Sequence, residues 1–328
     1  MSFAHQEGLL YFHGLETFLQ PMVHETLIQV GDLLEKGTMI NHVVILPPNT
    51  FLEACQMLSD VVKMAAWSQS GKQYILLEDL ETFAKKGQAT PEEMIVGMKY
   101  FLRQLNMMMD MQRQSHIVEF LIDEQSLLAT MIQDLKMNDP EVKNWIQPQM
   151  TKKTQSSWMQ LKPFRFTIGT VTLNLGQIAL LCDGSERKFI KLLNQRLETC
   201  FDALMCCYYG MLKTCADSSP VHWQYGILAR LDKEDVLDSL LLSSAVLQLM
   251  IAGLEMACCT LFADLQQQKQ FADRICDKIG QACRQRCHET GLQFYFTIET
   301  AICVLQHLAK LDQQKFNCAS LSYLTSQN

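Results

Sequence analysis

The chain has 328 residues, of which 48% are hydrophobic and 19% are charged, and its formal net charge is −7. This length and composition predict a folded protein with a large core and exclude a disordered chain. The negative charge, with no cluster of lysine and arginine, argues against nucleic acid as a partner, because binding a phosphate backbone requires a basic face.

Helical patterns dominate the chain. A segment is interpreted as a helix where apolar residues recur every three or four positions behind a capping residue. Thr90 is a candidate N-cap, with Pro91 in the first turn and two glutamates behind it. Predicted helices cover 49–67, 90–111, 185–212, part of 233–262, and 265–288. The apolar run 239–254 is too short and too polar to span a bilayer, so it predicts a buried helix and no membrane partner.

Segments that resemble strands are shorter and fewer. They are rich in β-branched and aromatic residues and cover 42–46, 116–122, 164–175 and 292–298. Short strands that alternate with long helices predict an α/β barrel or a layered α/β fold. The polar, proline-containing stretch 136–163 is predicted to be a long loop. No linker divides the chain, so we predict one domain over 1–328, with halves at about 1–135 and 164–328.

The cysteines indicate a reducing compartment. There are thirteen, an odd number in a long chain, which is typical of reduced thiols and not of a disulfide scaffold. The first residues lack a basic region followed by an unbroken apolar stretch, so no signal peptide is predicted. Together these features predict a cytoplasmic protein.

Two histidine and cysteine groupings could suggest a metal. Cys276, Cys283 and Cys287 share a predicted helical face and precede His288. This could be half of a metal site, but structural zinc usually uses closely spaced cysteine pairs on turns, so a packed helix face is the favoured interpretation. His5 and His13 lack a third ligand nearby. We therefore predict neither a metal nor a cofactor.

Five segments follow one another in an order that carries a resemblance. They are 4–18, 32–37, 166–180, 229–257 and 289–316. In the last, Glu289-Thr290-Gly291 precedes an apolar strand, and Ala309-Lys310-Leu311-Asp312 precedes Phe316. In this order the segments resemble the large subunit of the anaerobic ribonucleotide reductases, the oxygen-sensitive glycyl-radical class. The resemblance is colinear over nearly the whole chain.

The resemblance implies a helix-rich α/β fold, a ten-stranded barrel built from two five-stranded halves. In an active family member, a glycyl radical near the C-terminus oxidises a cysteine on a loop inside the barrel. The resulting thiyl radical takes a hydrogen from the ribose, and a second cysteine on an early strand helps to reduce the 2′ position. Sulfur is needed because an S–H bond is weak enough to exchange hydrogen reversibly with carbon.

This sequence departs from the family pattern at each of these places. No glycine follows Gly291, so we expect a shortened relative without the C-terminal radical domain. No cysteine occurs from 56 to 181, where the resemblance places the loop cysteine. The early-strand cysteine position is occupied near Glu25 and Thr26. We therefore expect no catalytic residue of the family type.

The resemblance also implies candidate ligand-binding residues. The family holds a substrate phosphate at the start of its last helix, and the equivalents here are Glu299, Thr300 and Ala301. A carboxylate at Glu299 would itself be favourable at a helix start and would repel a phosphate. Asn174 matches a family asparagine near the substrate, although a buried asparagine satisfied by neighbouring backbone groups is the favoured interpretation.

The leading hypothesis is a diverged reductase relative that is inactive alone and has a binding or regulatory role. Its expected partner is a nucleotide or an intact reductase subunit, and a homodimer is another option. One alternative is the catalytic component of a split glycyl-radical reductase, completed by another chain. A second alternative is an unrelated structural or interaction protein on the same barrel.

Overall fold

We describe the protein from a computed structural model, which defines residues 1–40, 42–112, 118–123, 125–145, 148–152 and 165–317. The chain forms two compact units that are not continuous in sequence. Unit 1 comprises Met1–Pro21, Thr167–Leu212 and Ser239–Asn328. Unit 2 comprises Met22–Phe166 and Lys213–Asp238.

The described residues contain ten strands and thirteen α-helices, which alternate along most of the chain. The strands are β1 Leu10–Phe12, β2 Glu25–Ile28, β3 Thr38–Ile40, β4 Val43–Ile45, β5 Gln73–Leu76, β6 Val118–Ile122, β7 Gln149–Lys152, β8 Phe166–Asn174, β9 Ala245–Ala252 and β10 Gln293–Ile298. The helices are α1 Ser2–Gln6, α2 Val30–Lys36, α3 Phe51–Ser68, α4 Leu77–Lys86, α5 Pro91–Gln112, α6 Leu127–Asn138, α7 Leu175–Leu181, α8 Glu186–Met211, α9 Pro220–Trp223, α10 Ser239–Leu242, α11 Leu254–Leu261, α12 Leu265–Thr290 and α13 Ile302–Phe316.

Unit 1 is built around a sheet with the strand order β10-β9-β8-β1. β10 runs parallel to β9, and β1 runs antiparallel to β8. One face of this sheet packs against helices, since a Cβ atom at Gly169 would lie 3.0 Å from Sγ of Cys207 in α8, and the rings of Phe201 and Phe294 meet edge to face. Because side chains alternate along a strand, residues of the other parity form the opposite face.

That opposite face contains a group of polar side chains. We call this group the polar face of unit 1, and its members are Tyr11, His13, Thr170, Thr172, Gln248 and Glu299. Thr170 donates a hydrogen bond to Gln248 across neighbouring strands, at 3.0 Å. Two of its members, Thr172 and Glu299, lie near the carboxyl ends of β8 and β10, and the carboxyl ends of strands are where parallel sheets commonly bind ligands.

Unit 2 contains a parallel sheet with the order β2-β5-β6-β7, and β3 and β4 form a separate antiparallel hairpin. α3 and α5 lie side by side against one face of the parallel sheet, where Phe101 of α5 contacts Phe120 of β6. Both helices begin with a capping box, at Thr50 with Glu53 and at Thr90 with Glu93. The described residues thus pair four strands in the sheet of each unit, where the resemblance implies five.

Most predicted elements are confirmed. The structure contains the predicted strands at 43–45, 118–122, 166–174 and 293–298, and the predicted helices at 51–68, 91–112, 186–211 and 265–290. Thr90 accepts a hydrogen bond from the N–H of Glu93 and is the N-cap that was predicted. Among the described residues, no helix is both long and apolar enough to cross a membrane.

The prediction of a buried helix over 239–254 was wrong. The apolar run forms the short helix α10 and then the strand β9, whose eight residues are buried apart from the half-buried Met250. A parallel strand covered on both faces reads as an unbroken apolar run, which periodicity cannot distinguish from a helix.

The segment 136–163, predicted to be a loop, also contains regular structure. It begins with the end of α6 and includes β7, which pairs in parallel with β6 at the edge of the unit 2 sheet. The sequence Gln-Met-Thr-Lys of β7 lacks the β-branched pattern of a strand, because an edge strand can keep polar side chains. The remainder of the predicted loop, 153–163, lies outside the described residues.

Candidate functional site

Glu299 is the centre of a hydrogen-bonded cluster on the polar face of unit 1. It follows β10 directly, and only 3% of its surface is exposed. Its Oε2 atom accepts a hydrogen bond from the hydroxyl of Thr172 at 2.7 Å and lies 3.1 Å from Nε2 of His13. Nε2 of His13 also lies 2.8 Å from Oγ1 of Thr172. The three side chains therefore meet around one carboxylate oxygen.

The geometry fixes the hydrogen positions in this cluster. Thr172 has a single hydroxyl hydrogen, and the carboxylate of Glu299 accepts it. The oxygen of Thr172 must then accept from Nε2–H of His13, because a hydroxyl has only one hydrogen to give. His13 therefore carries its proton on Nε2, facing both the threonine and the carboxylate.

The environment keeps Glu299 ionised. Burial by itself raises the pKa of this carboxyl, but the hydrogen bond and charge of His13, the N–H of Ala301 and the hydroxyl of Thr172 together hold the pKa below its ordinary value. Hydrogen bonds donated to a carboxylate favour its charged form. The polar face of unit 1 thus contains a fixed negative charge near neutral pH.

The same carboxylate occupies the start of the last helix. α13 begins at Ile302 with Ala301 as its N-cap, and the side chain of Ala301 cannot cap the helix. Oε1 of Glu299 accepts the N–H of Ala301 at 2.9 Å and so satisfies one of the free N–H groups. Thr300 between them is exposed. An anionic side chain is favourable at a helix N-terminus because the helix dipole is positive there.

Asn174 lies in a second buried network of unit 1. It is the N-cap of α7, where its Oδ1 accepts the N–H of Gln177 at 3.0 Å. Its Nδ2 donates to the carbonyl of Gly8 at 2.9 Å and to Oδ2 of Asp312 at 2.7 Å. Both polar atoms of the Asn174 amide are thus engaged within the protein, which supports a structural role.

Asp312 joins this network from the opposite end of the sequence. It is fully buried, and its Oδ1 accepts from Nε2 of Gln177 at 2.6 Å. Arg196 then donates to Oε1 of Gln177 at 3.1 Å. Gly8, Asn174 and Asp312 belong to three of the segments that carry the family resemblance, so the network ties these distant segments together.

A cluster of aromatic rings includes His307 of α13. The rings of His5 and Tyr11 lie 4.8 Å apart, and His307 lies 5.6 Å from each of them. His13 meets Tyr11 edge to face at 5.1 Å. Burial, followed by the neighbouring His307 and His13, lowers the pKa of His5. The two histidines considered from the sequence thus pack into a ring cluster.

In unit 2, the two residues at the expected position of the early-strand cysteine face opposite ways. Thr26 is fully buried on the helix side, where its hydroxyl donates to Oε1 of Gln69 at 2.9 Å. Glu25 is half-buried on the other face, and its Oε2 lies 3.5 Å from the hydroxyl of Tyr74. On that same face, Lys72 forms an ion pair with Glu119 at 3.1 Å.

The partner of Thr26 belongs to a sealed neutral network. The amide nitrogen of Gln69 donates to the carbonyls of Gly71 and Lys72, so its oxygen must face Thr26 and His222. His222 consequently donates from Nε2 and accepts from the hydroxyl of Ser219 at Nδ1, at 2.7 Å. Complete burial lowers the pKa of His222 to about 3, and the ring is neutral.

The cysteines of the described residues all lie outside the strands. Ten are in α3, α8, α11, α12 and α13, and the other two, Cys182 and Cys215, lie at the end of a helix and in a short connection. Cys283 of the α12 grouping is part of the buried core. Within the described ranges, no group of three or more histidine, cysteine, aspartate or glutamate side chains is arranged to hold a metal ion.

Comparisons with known proteins decide the family. The sequence model described as anaerobic ribonucleoside-triphosphate reductase matches residues 1–147 and 116–328. The chain belongs to this family. A curated relative, the anaerobic ribonucleoside-triphosphate reductase of Enterobacteria phage T4, is 26% identical over 159 residues. That match covers 46% of this chain and 25% of the phage protein, so the aligned region is a quarter of the relative's length.

Solved structures of the family have the same fold. The anaerobic ribonucleotide reductase of Thermotoga maritima with citrate in the active site matches with a TM-score of 0.62 and 14% identity, over 95% of this chain and 71% of that chain. The same enzyme with dATP in its specificity site matches with a TM-score of 0.66 and 16% identity, over 95% and 66%. The predicted α/β fold of the reductase type is confirmed.

Several of these contacts have no signal in the sequence. Thr172 and His307 carry no motif of their own, and only the pairing of β1 with β8 and the course of α13 bring them to Glu299 and Tyr11. Polar residues at alternate positions of β8 are the one pattern that could have indicated the polar face.

Proposed function

We propose that this chain is a member of the anaerobic reductase family that performs no ribonucleotide reduction alone and acts by binding, as a regulatory or ligand-binding component. The observation that carries the proposal is the absence of cysteine from every strand of the described residues, together with its absence from 56 to 181 in the sequence. Hydrogen transfer from ribose through sulfur needs a thiol on the face that meets the substrate.

The replacements at these places have unsuitable chemistry. On β2, the residue that faces away from the helices is Glu25, and a carboxylate cannot exchange hydrogen with carbon as a thiol does. Thr26 is turned toward α3 and engaged with Gln69. Neither side chain could replace the second cysteine of the family.

The ligand preference follows from Glu299. A phosphate at the start of α13 would meet this ionised carboxylate, and two like charges at contact distance cost about 1–4 kcal/mol between water and a protein surface. We infer that nucleoside triphosphates bind weakly at this helix start. A nucleoside, which lacks the phosphates, would meet no such repulsion and is the favoured nucleotide-type ligand.

Anaerobic turnover tests the proposal. The purified chain is incubated with ribonucleoside triphosphates, formate or thiols, and a radical-generating activating enzyme, and deoxynucleotides are quantified by mass spectrometry. We expect no product above a control without the chain. Product formed by the chain alone would refute the proposal. Product formed only after a second chain with a radical glycine is added would support the split reductase instead.

A further inference from the structure

Unit 2 contains a cavity that lies outside the buried hydrogen-bonded network of Thr26, Gln69 and His222. Its volume is about 430 Å³, within the range of small-molecule sites. Three helix ends line it, those of α3, α4 and α5. The lining includes Leu52, Phe83 and Val96, the almost fully buried Phe51, and the acidic residues Glu92 and Glu93.

The first turns of the two long helices, α3 and α5, both line this cavity. Lys63 of α3 donates to Gln104 of α5 at 2.5 Å, whereas near their starts Phe51 lies against Gly97. The residue that lies later in α3 contacts the residue that lies later in α5, so the two helices run parallel. A Cβ atom at Gly97 would lie only 2.6 Å from Cδ1 of Phe51, so this glycine allows the phenyl ring to lie where it lines the cavity.

Charge decides which ligand the cavity suits. Each helix N-terminus contributes about half a positive charge, so the two together contribute about one. Three carboxylates oppose them. Glu53 accepts the N–H groups of Asn49 and Thr50, Glu93 accepts the N–H of Thr90, and Glu92 is exposed at the rim. No lysine or arginine is among the lining residues. The lining therefore contains carboxylates and no basic side chain, which disfavours phosphates and carboxylates.

We propose that this cavity binds a small organic cation, an amine that carries an aromatic or alkyl group. The apolar body would lie against Phe83, Leu52 and Val96, and the ammonium would interact with the ring face of Phe83 and with Glu92. Cations bind favourably over aromatic faces, and a carboxylate at the rim adds to this attraction. The proposal goes beyond the proposed function and does not depend on it.

Three indole compounds that differ in charge test the proposal on the full chain. Tryptamine is the cation, 3-methylindole is neutral and indole-3-acetate is the anion. Calorimetry and NMR of the amides of Ala84, Ala89 and Val96 report binding. We expect tryptamine to bind with a Kd of about 0.1–1 mM, which is ordinary for a ligand of this size, and indole-3-acetate to bind at least about tenfold more weakly.

Three substitutions test the location and the charge preference of the site. Val96→Trp, at a 56% exposed position that lines the cavity, should fill it and abolish tryptamine binding. Ile95→Trp, at the 40% exposed neighbouring position that does not line the cavity, is the matched control and should leave binding unchanged. Glu92→Gln keeps the cavity open and should reduce the preference for the cation about threefold to tenfold.

The outcomes separate clearly. No binding of tryptamine, equal binding by Val96→Trp, or equal affinity for tryptamine and indole-3-acetate would each overturn the proposal. If Val96→Trp does not fold, the NMR mapping on the unmodified chain and the Glu92→Gln comparison decide the matter. Perturbed amides away from the three helix ends would also contradict it.

Discussion

The two units each bury a polar network, and the networks differ in charge. In unit 1 the network around Glu299 is ionised, and the side chain of its partner His13 remains 17% exposed. In unit 2 the network around His222 is neutral and fully buried. A charge needs several donors or a partner to be stable inside a protein, whereas a neutral network needs only complete hydrogen bonding. Of these two networks, the one in unit 1 therefore places a charge beside a side chain that is still in contact with solvent.

The two units also differ in what the segments that resemble the reductases contribute. In unit 1, residues from the segments that resemble the reductases meet at Asn174 and Asp312, where they hold α7 and α13 to the first turn of the chain. In unit 2, the position that the resemblance assigns to the early-strand cysteine is occupied near Glu25 and Thr26. The segments that carry the resemblance are thus joined in unit 1 by residues with a structural role.

The largest effect on the free energy of unfolding is expected for Asp312, because this residue is fully buried and accepts hydrogen bonds from two side-chain amides. Asp312→Ala leaves Asn174 and Gln177 with unpaired donors and should reduce the free energy of unfolding by about 3 kcal/mol. Asp202→Ala, at an exposed position of α8, is the control and should change it by less than about 0.5 kcal/mol. Urea denaturation measures both changes. Equal effects of the two substitutions would show that Asp312 does not stabilise unit 1 through Asn174 and Gln177.

His222 should make the stability of unit 2 depend on pH. Its folded pKa, about 3, lies below the ordinary value of 6.5, so below pH 6.5 the unfolded chain binds a proton that the folded chain does not. Stability is therefore lost as pH falls from 6.5 toward 3, by about 1.4 kcal/mol per pH unit, or about 2 kcal/mol between pH 6.5 and 5. His222→Gln should flatten this slope, and exposed His288→Gln should not. A slope unchanged by His222→Gln would show that the network is not sealed.

Glu299 should also lose its contribution to stability in acid, but beginning at a lower pH than His222. Its pKa is lowered on folding, so its contribution is present above the ordinary carboxyl pKa and is lost as pH falls through the lower folded value. Glu299→Gln keeps the shape but not the charge and should cost about 1–2 kcal/mol at pH 7, with a smaller cost in acid. Glu255→Gln, on the exposed side of α11, is the control. A cost that does not depend on pH would argue against an ionised Glu299.

The smallest effect on stability is expected at the start of α5, which lines the cavity of unit 2. Thr90→Ala removes the acceptor for the N–H of Glu93 and should cost about 1 kcal/mol. Thr82→Ala, at an exposed position inside α4, should be neutral or slightly stabilising, since alanine is the better helix former. Thermal unfolding with both variants checks the difference.

The sequence predicted more of the fold than of the site. Periodicity and capping residues identified the long helices, because those signals are local. The strand β9 was taken for a helix and β7 for a loop, since burial on both faces and a position at a sheet edge are properties of the tertiary structure. Glu299 was found through the family resemblance, whereas its partners His13 and Thr172 come together only through the pairing of β1 and β8.

Calorimetric titration of the unmodified chain and of Glu299→Thr with ATP and CTP tests the central claim, that a carboxylate of the protein takes the place of a bound phosphate at the start of α13. We predict weak or undetectable binding by the unmodified chain and an affinity at least about tenfold higher for Glu299→Thr, because the substitution removes a repulsion of about 1–4 kcal/mol. Tight triphosphate binding by the unmodified chain, competed by inorganic phosphate and unchanged by the substitution, would contradict the claim.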